Sequence, residues 1–140
     1  MRIERMAAEN FREVVSLWEK TPGMGLNPYD DSEEGLRRYL ARNPSTCFVA
    51  REKDGKVIGS ILAGHDGRRA FIYHLAVAME SRKMGVGKSL VDAAVKALQA
   101  EGIAKAALVV FADNDAGNAF WEKIGFTTRP DLVYRNKAIR

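Results

Sequence analysis

The sequence predicts an α+β fold: one mixed sheet, antiparallel first and parallel later, with helices packed on it. Three observations carry this. Asp54-Gly55 and Asp66-Gly67 each separate β-rich runs, the signature of tight hairpins, so residues 46–52, 56–64 and 69–77 read as a three-strand meander. Residues 85–101 place Val86, Leu90, Val91, Ala94 and Leu98 on one helical face and stop at Gly102. A continuous apolar run at 105–111 then predicts a strand inside the sheet, parallel to the strand before the helix.

The remaining elements follow in order. Residues 2–6 suit a short first strand. Phe11, Val14, Val15 and Trp18 recur at helical spacing over 8–20, and Thr21-Pro22-Gly23 ends that helix. Residues 23–31 read as a loop. Ser32, with Glu34 downstream, starts a second helix marked by Leu36, Tyr39 and Leu40 and closed by Asn43-Pro44. Asn114 caps a last helix that ends at Gly125. Residues 126–128 and 132–136 read as a final strand pair around Arg129-Pro130-Asp131. The order is β-α-α-β-β-β-α-β-α-β-β in a single domain over residues 1–140, without linker or repeat.

Composition narrows the chemistry. Twenty-two basic against 18 acidic side chains give a net charge of +4. That suits a polyanionic small ligand, whereas a dedicated nucleic-acid surface needs a clustered basic stripe with interleaved aromatics. Arg68, Arg69, Arg82 and Lys83 lie among turn signals instead. Cys47 is the single cysteine, which excludes an internal disulfide, and with only His65 and His74 it cannot build a zinc site. The start lacks an apolar signal-peptide core, and no apolar run approaches the ~20 residues a membrane helix needs. The expectation is a cytoplasmic protein without a membrane partner.

The segment with the most chemical content follows the strand ending at Val77. Gly85 and Gly87 stand at a helix start, where missing Cβ atoms let backbone approach a ligand, and free N–H groups with the helix dipole favour an anion such as phosphate. Lys83 and Lys88 add charge. The dinucleotide fingerprint fails because Leu90 stands three residues after Gly87. The Walker pattern fails because its first glycine would fall at Arg82.

Arg82-Lys83-Met84-Gly85-Val86-Gly87 does match the [RQ]-x-x-G-x-[GA] signature of the GNAT superfamily of N-acetyltransferases, and Asn114 to Phe126 resembles that family's N-x-x-[AG]-x-x-[FL]-Y-x-K-x-G-F block. The chain resembles the family from end to end. It is similar to small bacterial members of the YpeA type in Leu17-Trp18-Glu19 and in the turn from Gly64 to Gly67.

The resemblance implies the GNAT-type acyl-CoA N-acyltransferase fold and acetyl-CoA as cosubstrate. The acetyl group would pass to a primary amine on a small molecule or peptide by direct attack in a ternary complex. Pantetheine would enter a gap between the strand ending at Leu75-Ala76-Val77 and the strand at 108–111, with those amides facing the thioester. Arg82, Lys83, Met84, Gly85, Val86, Gly87, Lys88 and Ser89 would hold the pyrophosphate. Asn114, Asn118 and Trp121 would meet the cofactor from the other side. The loop at 23–31 and the second helix would cover the acceptor mouth, where Asp30, Asp31, Glu33 and Glu34 make an acidic rim. The family's exposed final strands leave a homodimer open.

Two departures bear on catalysis. Many members carry a tyrosine acid where Trp121 stands, and one branch has a glutamate base where Val109 stands. An indole N–H has no useful acidity. The remaining candidates are Tyr134 as acid, and Tyr73 or His74 beside the thioester. Of that last pair strand alternation lets only one face the site. Asp113 acting through a water is a further option. Without the usual pair, a non-catalytic acyl-CoA-binding or sensing domain is the alternative.

Overall fold

The computed structural model describes all 140 residues, in two compact units, Met1–Val109 and Val110–Arg140. In the first unit β1 (Arg2–Arg5), α1 (Phe11–Glu19), α2 (Glu33–Arg42), β2 (Phe48–Arg51), β3 (Val57–His65), β4 (Ala70–Val77), α3 (Val86–Ala100) and β5 (Ala106–Ala107) follow in order. The sheet runs β1-β2-β3-β4-β5, with every pair antiparallel except the parallel β4–β5. No helix is long and apolar enough to cross a membrane.

Local signals place the helices and hairpins as expected. Ser32 Oγ accepts the Gly35 N–H at 3.0 Å and caps α2. At the β3–β4 hairpin the Asp66 N–H reaches the Arg69 carbonyl, and Asp66 Oδ1 accepts the Arg68 and Arg69 N–H groups at 2.8 Å. The turn is satisfied internally, so Arg68 and Arg69 are solvated extensions of it.

Opposite faces of the sheet carry different helices. Val14, Leu17 and Trp18 of α1 and Leu36 and Leu40 of α2 pack on Cys47, Val49, Val57, Leu62 and Ala76. Trp18 is 1% exposed and donates its Nε1–H to Ser60 Oγ at 2.9 Å, so it is a core residue with a satisfied polar end. Cys47 is buried beside the Ala63 carbonyl, and burial pushes its thiol up to about 12. Gly59 neighbours Ser60 and points the other way: a Cβ there would lie 2.9 Å from Leu90 and 3.0 Å from Val86, both of α3. Thus α3 covers the face opposite α1 and α2.

The run at 105–111 departs from expectation. Only Ala106 and Ala107 pair with β4, β5 is the sheet's edge, and residues 105–111 alternate between exposed and half-buried. An edge strand has one neighbour, and here its ladder stops at the Phe71–Ala107 pair. A continuous apolar run cannot report either fact.

In the second unit Asn114 Oδ1 accepts the Gly117 N–H at 2.9 Å and caps α4 (Asp115–Lys123). Phe126 stacks edge-on against Trp121 at 5.1 Å. The turn at 129–132 forms, with the Arg129 guanidinium on the Asp131 carboxylate and the Leu132 N–H on the Arg129 carbonyl. Its arms, 126–128 and 132–136, do not pair; the expected last two strands are absent. A two-stranded ribbon needs a surface to bury one face, and Leu132, Val133 and Tyr134 are all exposed.

Two outcomes follow. Gly59→Val overpacks the α3 contact and lowers Tm by roughly 5 °C or more in scanning calorimetry. The second concerns Arg51, whose guanidinium bridges Glu4 and Glu13. Hydrogen bonds from Arg51 hold both carboxyls below the usual range, Arg2 assisting at Glu4 while partial burial opposes at Glu13. With depressed folded-state values, this stabilisation is present above the unfolded carboxylate value of about 4.3 and lost as pH falls below it. Arg51→Met therefore loses less Tm than the parent chain between about pH 5 and 3; parallel acid limbs would refute the linkage.

Candidate functional site

The site begins where the sheet opens. Ala70 and Phe71 pair with Ala106 and Ala107, and the Ala70 N–H reaches the Lys105 carbonyl at 3.0 Å. Beyond Phe71, β4 runs on to Val77 with β3 on one side and no ladder on the other. A strand edge with unspent N–H and C=O groups can accept an extended amide chain.

A bulge shapes that edge. Ser60 pairs with Ala76 and Leu62 with Tyr73, so two steps on β3 face three on β4. The extra residue falls at His74-Leu75, and His74 has φ 50°. This breaks strand alternation. Tyr73 packs its ring against Tyr39 of α2 at 6.1 Å, while His74 packs against Trp18 of α1 at 4.8 Å. Both side chains therefore face the α1–α2 side, correcting the expectation that only one could. Leu75, Ala76 and Val77 follow at once.

His74 is tightly held. Its Nε2 donates to Asp31 Oδ1 at 2.8 Å, with the two side chains 12% and 11% exposed. Asp31 Oδ2 takes the Asn27 N–H at 2.7 Å. Burial alone would raise the Asp31 carboxyl, yet the His74 and Asn27 hydrogen bonds and the His74 charge together hold it below the ordinary carboxylate range. Asp31 is thus a built partner rather than part of a solvated acidic rim. Glu33, by contrast, pairs with Arg37 on the α2 surface.

Past Val77 the chain makes a helical turn at Met79–Ser81, whose Ser81 is buried. Arg82 Nε reaches back to the Val77 carbonyl at 3.4 Å. Lys83 and Gly85 both adopt positive φ, 64° and 80°, and Gly85 caps α3. The first intrahelical bond runs from the Ser89 N–H to the Gly85 carbonyl, so the N–H groups of Val86, Gly87 and Lys88 point out of the helix end. Arg82, Lys83, Met84 and Gly85 are exposed around that end, and Val86 anchors it in the core. Lys88 pairs with Asp92 at 2.8 Å, which spends part of the charge expected there. This end suits an anion, and it lies directly beyond the open edge of β4.

The other candidates lie in the second unit. Asn114 Oδ1 is engaged as the α4 cap, and Asn118 Nδ2 donates to the Phe111 and Asn114 carbonyls. Trp121 stacks between Phe120 and Phe126. Tyr134 is 65% exposed on irregular chain rather than on a strand. Sequence reasoning missed Ser60 and the Asp31–His74 contact, whose partners lie 43 residues apart. The one available signal for Asp31 was its place in an acidic loop.

Comparison with known proteins identifies the family. Residues 11–126 match the Acetyltransferase (GNAT) family. An acetyltransferase of Sodalis glossinidius is 34% identical over 99% of this chain and 96% of its own length. Another, from Photorhabdus laumondii, is 37% identical over 92% of this chain and 88% of its own. The crystal structure of a PaiA N-acetyltransferase from Thermoplasma acidophilum in complex with coenzyme A superposes with a TM-score of 0.78 at 22% identity, covering 91% of this chain and 90% of that one. Fold, sequence and relatives coincide: the chain belongs to the GNAT family of acetyltransferases.

Proposed function

We propose that this chain transfers the acetyl group of acetyl-CoA to a primary amine by direct attack in a ternary complex. The observation that carries the reading is the continuity of two features. The β4 edge unzips from β5 after Phe71, bulges at His74, and ends at Val77, from which a short turn leads to the exposed N–H end of α3 at Val86. A pantetheine arm carries amides that can pair with an open strand edge, and it ends in a diphosphate that suits such a helix end.

In this reading Leu75, Ala76 and Val77 present amides to the thioester, and residues 82–89 hold the pyrophosphate. The amine nitrogen attacks the thioester carbon, forming the C–N bond, and charge collects on the carbonyl oxygen where a bulge amide stabilises it. The nitrogen gives its surplus proton to water, collapse breaks the C–S bond, and the thiolate leaves with a proton taken from an acid of the site. Holding the two reactants together supplies much of the rate.

Tyr73 is the candidate we favour for that proton. The residue is 45% exposed on the α1–α2 side, beside the bulge. Enclosed His74 has its Nε2 already committed to Asp31, and Tyr134 stands on unpaired chain. Trp121 and Val109, in place of the family's usual tyrosine and glutamate, favour a second reading: an acyl-CoA-binding domain without transfer. Amine-dependent release of free CoA thiol, measured over a panel of amines, separates the two.

CoA and acetyl-CoA near millimolar concentration should each raise Tm by a few degrees. Gly85→Val, forced into a left-handed conformation that costs about 1–2 kcal/mol, should weaken both by roughly tenfold. No shift with either cofactor would end this reading. Tyr73→Phe should lower kcat by about 10²-fold or more while the CoA-induced Tm shift stays. An unchanged kcat would remove Tyr73 from the proton step.

A further inference from the structure

We propose that Asp31 is a positioning residue for the acyl donor: through His74 it fixes the aim of the β4 bulge amides. The loop before α2 and the thioester-facing edge then move as one piece. This rests on the reading above, in which the bulge amides meet the thioester oxygen.

The argument starts from the backbone. His74 sits at φ 50°, a region that an L-residue with a Cβ avoids. At His74 the surroundings over-determine this conformation. Three different elements do so. From the loop before α2, Asp31 Oδ1 accepts the Nε2–H at 2.8 Å. From α1, the Trp18 ring stands edge-on to the imidazole at 4.8 Å. From β3, Ser60 Oγ donates to the His74 carbonyl at 3.5 Å, and Trp18 Nε1 fixes that hydroxyl at 2.9 Å.

Asp31 can transmit position because it is itself held. Besides its Oδ2 contact with the Asn27 N–H, its own N–H reaches the Asn27 carbonyl at 2.8 Å. Asn27 Oδ1 gathers the N–H groups of Tyr29 and Asp30 at 2.8 and 3.0 Å. The loop is therefore a closed hydrogen-bonded knot with one carboxylate oxygen extended to the bulge. The His74–Asp31 bond joins two side chains 12% and 11% exposed, a setting in which a charge-assisted contact is strong. Loss of the carboxylate frees the imidazole, lets φ of residue 74 relax toward extended values, and turns the following amides away from the donor carbonyl. An acceptor that orders the same loop would reach the donor carbonyl through this contact.

The test reads the donor directly and needs no acceptor. Acetyl-CoA labelled with carbon-13 at its carbonyl is bound to the full chain, and the infrared carbonyl band is compared with that of the free thioester. In the parent chain the band should move to lower wavenumber. In Asp31→Ala the shift should be largely lost, with intermediate loss in Asp31→Asn, while CoA affinity stays within about twofold because the α3 end is untouched. With an active amine, kcat should fall about 10- to 100-fold and the KM for acetyl-CoA should change little. Ser60→Ala removes a different support of the same residue and should weaken the band shift likewise, which covers the case of an unstable Asp31 variant. The parent's band shift intact in either Asp31 variant, whatever its Tm, would make Asp31 merely structural and overturn the proposal. A parent chain that binds acetyl-CoA without any band shift would overturn it as well. A parent chain that fails to bind acetyl-CoA at all would instead remove the donor-site reading beneath it.

Discussion

One extra residue in β4 organises this site. The register from Ser60–Ala76 to Leu62–Tyr73 leaves His74-Leu75 unmatched, and His74 takes a left-handed backbone conformation to absorb the surplus. A bulge twists and bends its strand. Here it has two consequences. It puts Tyr73 and His74 on the same side of the sheet, and it coincides with the stretch of β4 that has no ladder toward β5. Strand groups that would close a continuous sheet are left available instead.

Holding such a feature costs conformational energy, and the protein meets that cost with burial and satisfied polar contacts. Trp18 is the central piece. Its ring packs on His74 and joins the α1–α2 core, and its one polar atom is spent on Ser60, the residue whose hydroxyl also meets the His74 carbonyl. Asp31 completes the enclosure from the loop. The same residues thus pack the core of the first unit and hold the bulged stretch of β4.

The electrostatics beyond β4 are simpler. The α3 end offers N–H groups whose helical partners do not exist, a property of any helix start. Its surroundings are particular: Gly85 stands at φ 80°, Val86 pins the first turn in the core, and exposed Lys83 brings a cation. Lys88 contributes less than its position suggests, because Asp92 one turn later takes its ammonium. An i,i+4 pair is readable from spacing, but which of two competing partners a lysine prefers depends on what occupies the site.

Much was legible along the chain because its cause is local. Helical periodicity gave α1, α2 and α3, Ser32 and Asn114 announced their caps, Asp-Gly turns gave the meander, and the glycine pair marked the start of α3. Each depends on residues a few positions apart. The apolar run after α3 misled as to extent, and the last two expected strands did not form, because a strand exists only through a neighbour. The bulge, the shared face of Tyr73 and His74, and the Asp31–His74 contact across 43 residues were decided by tertiary structure alone. Local sequence fixes which torsions are cheap. Only packing decides which costly torsion, at φ 50° on one histidine, is worth holding.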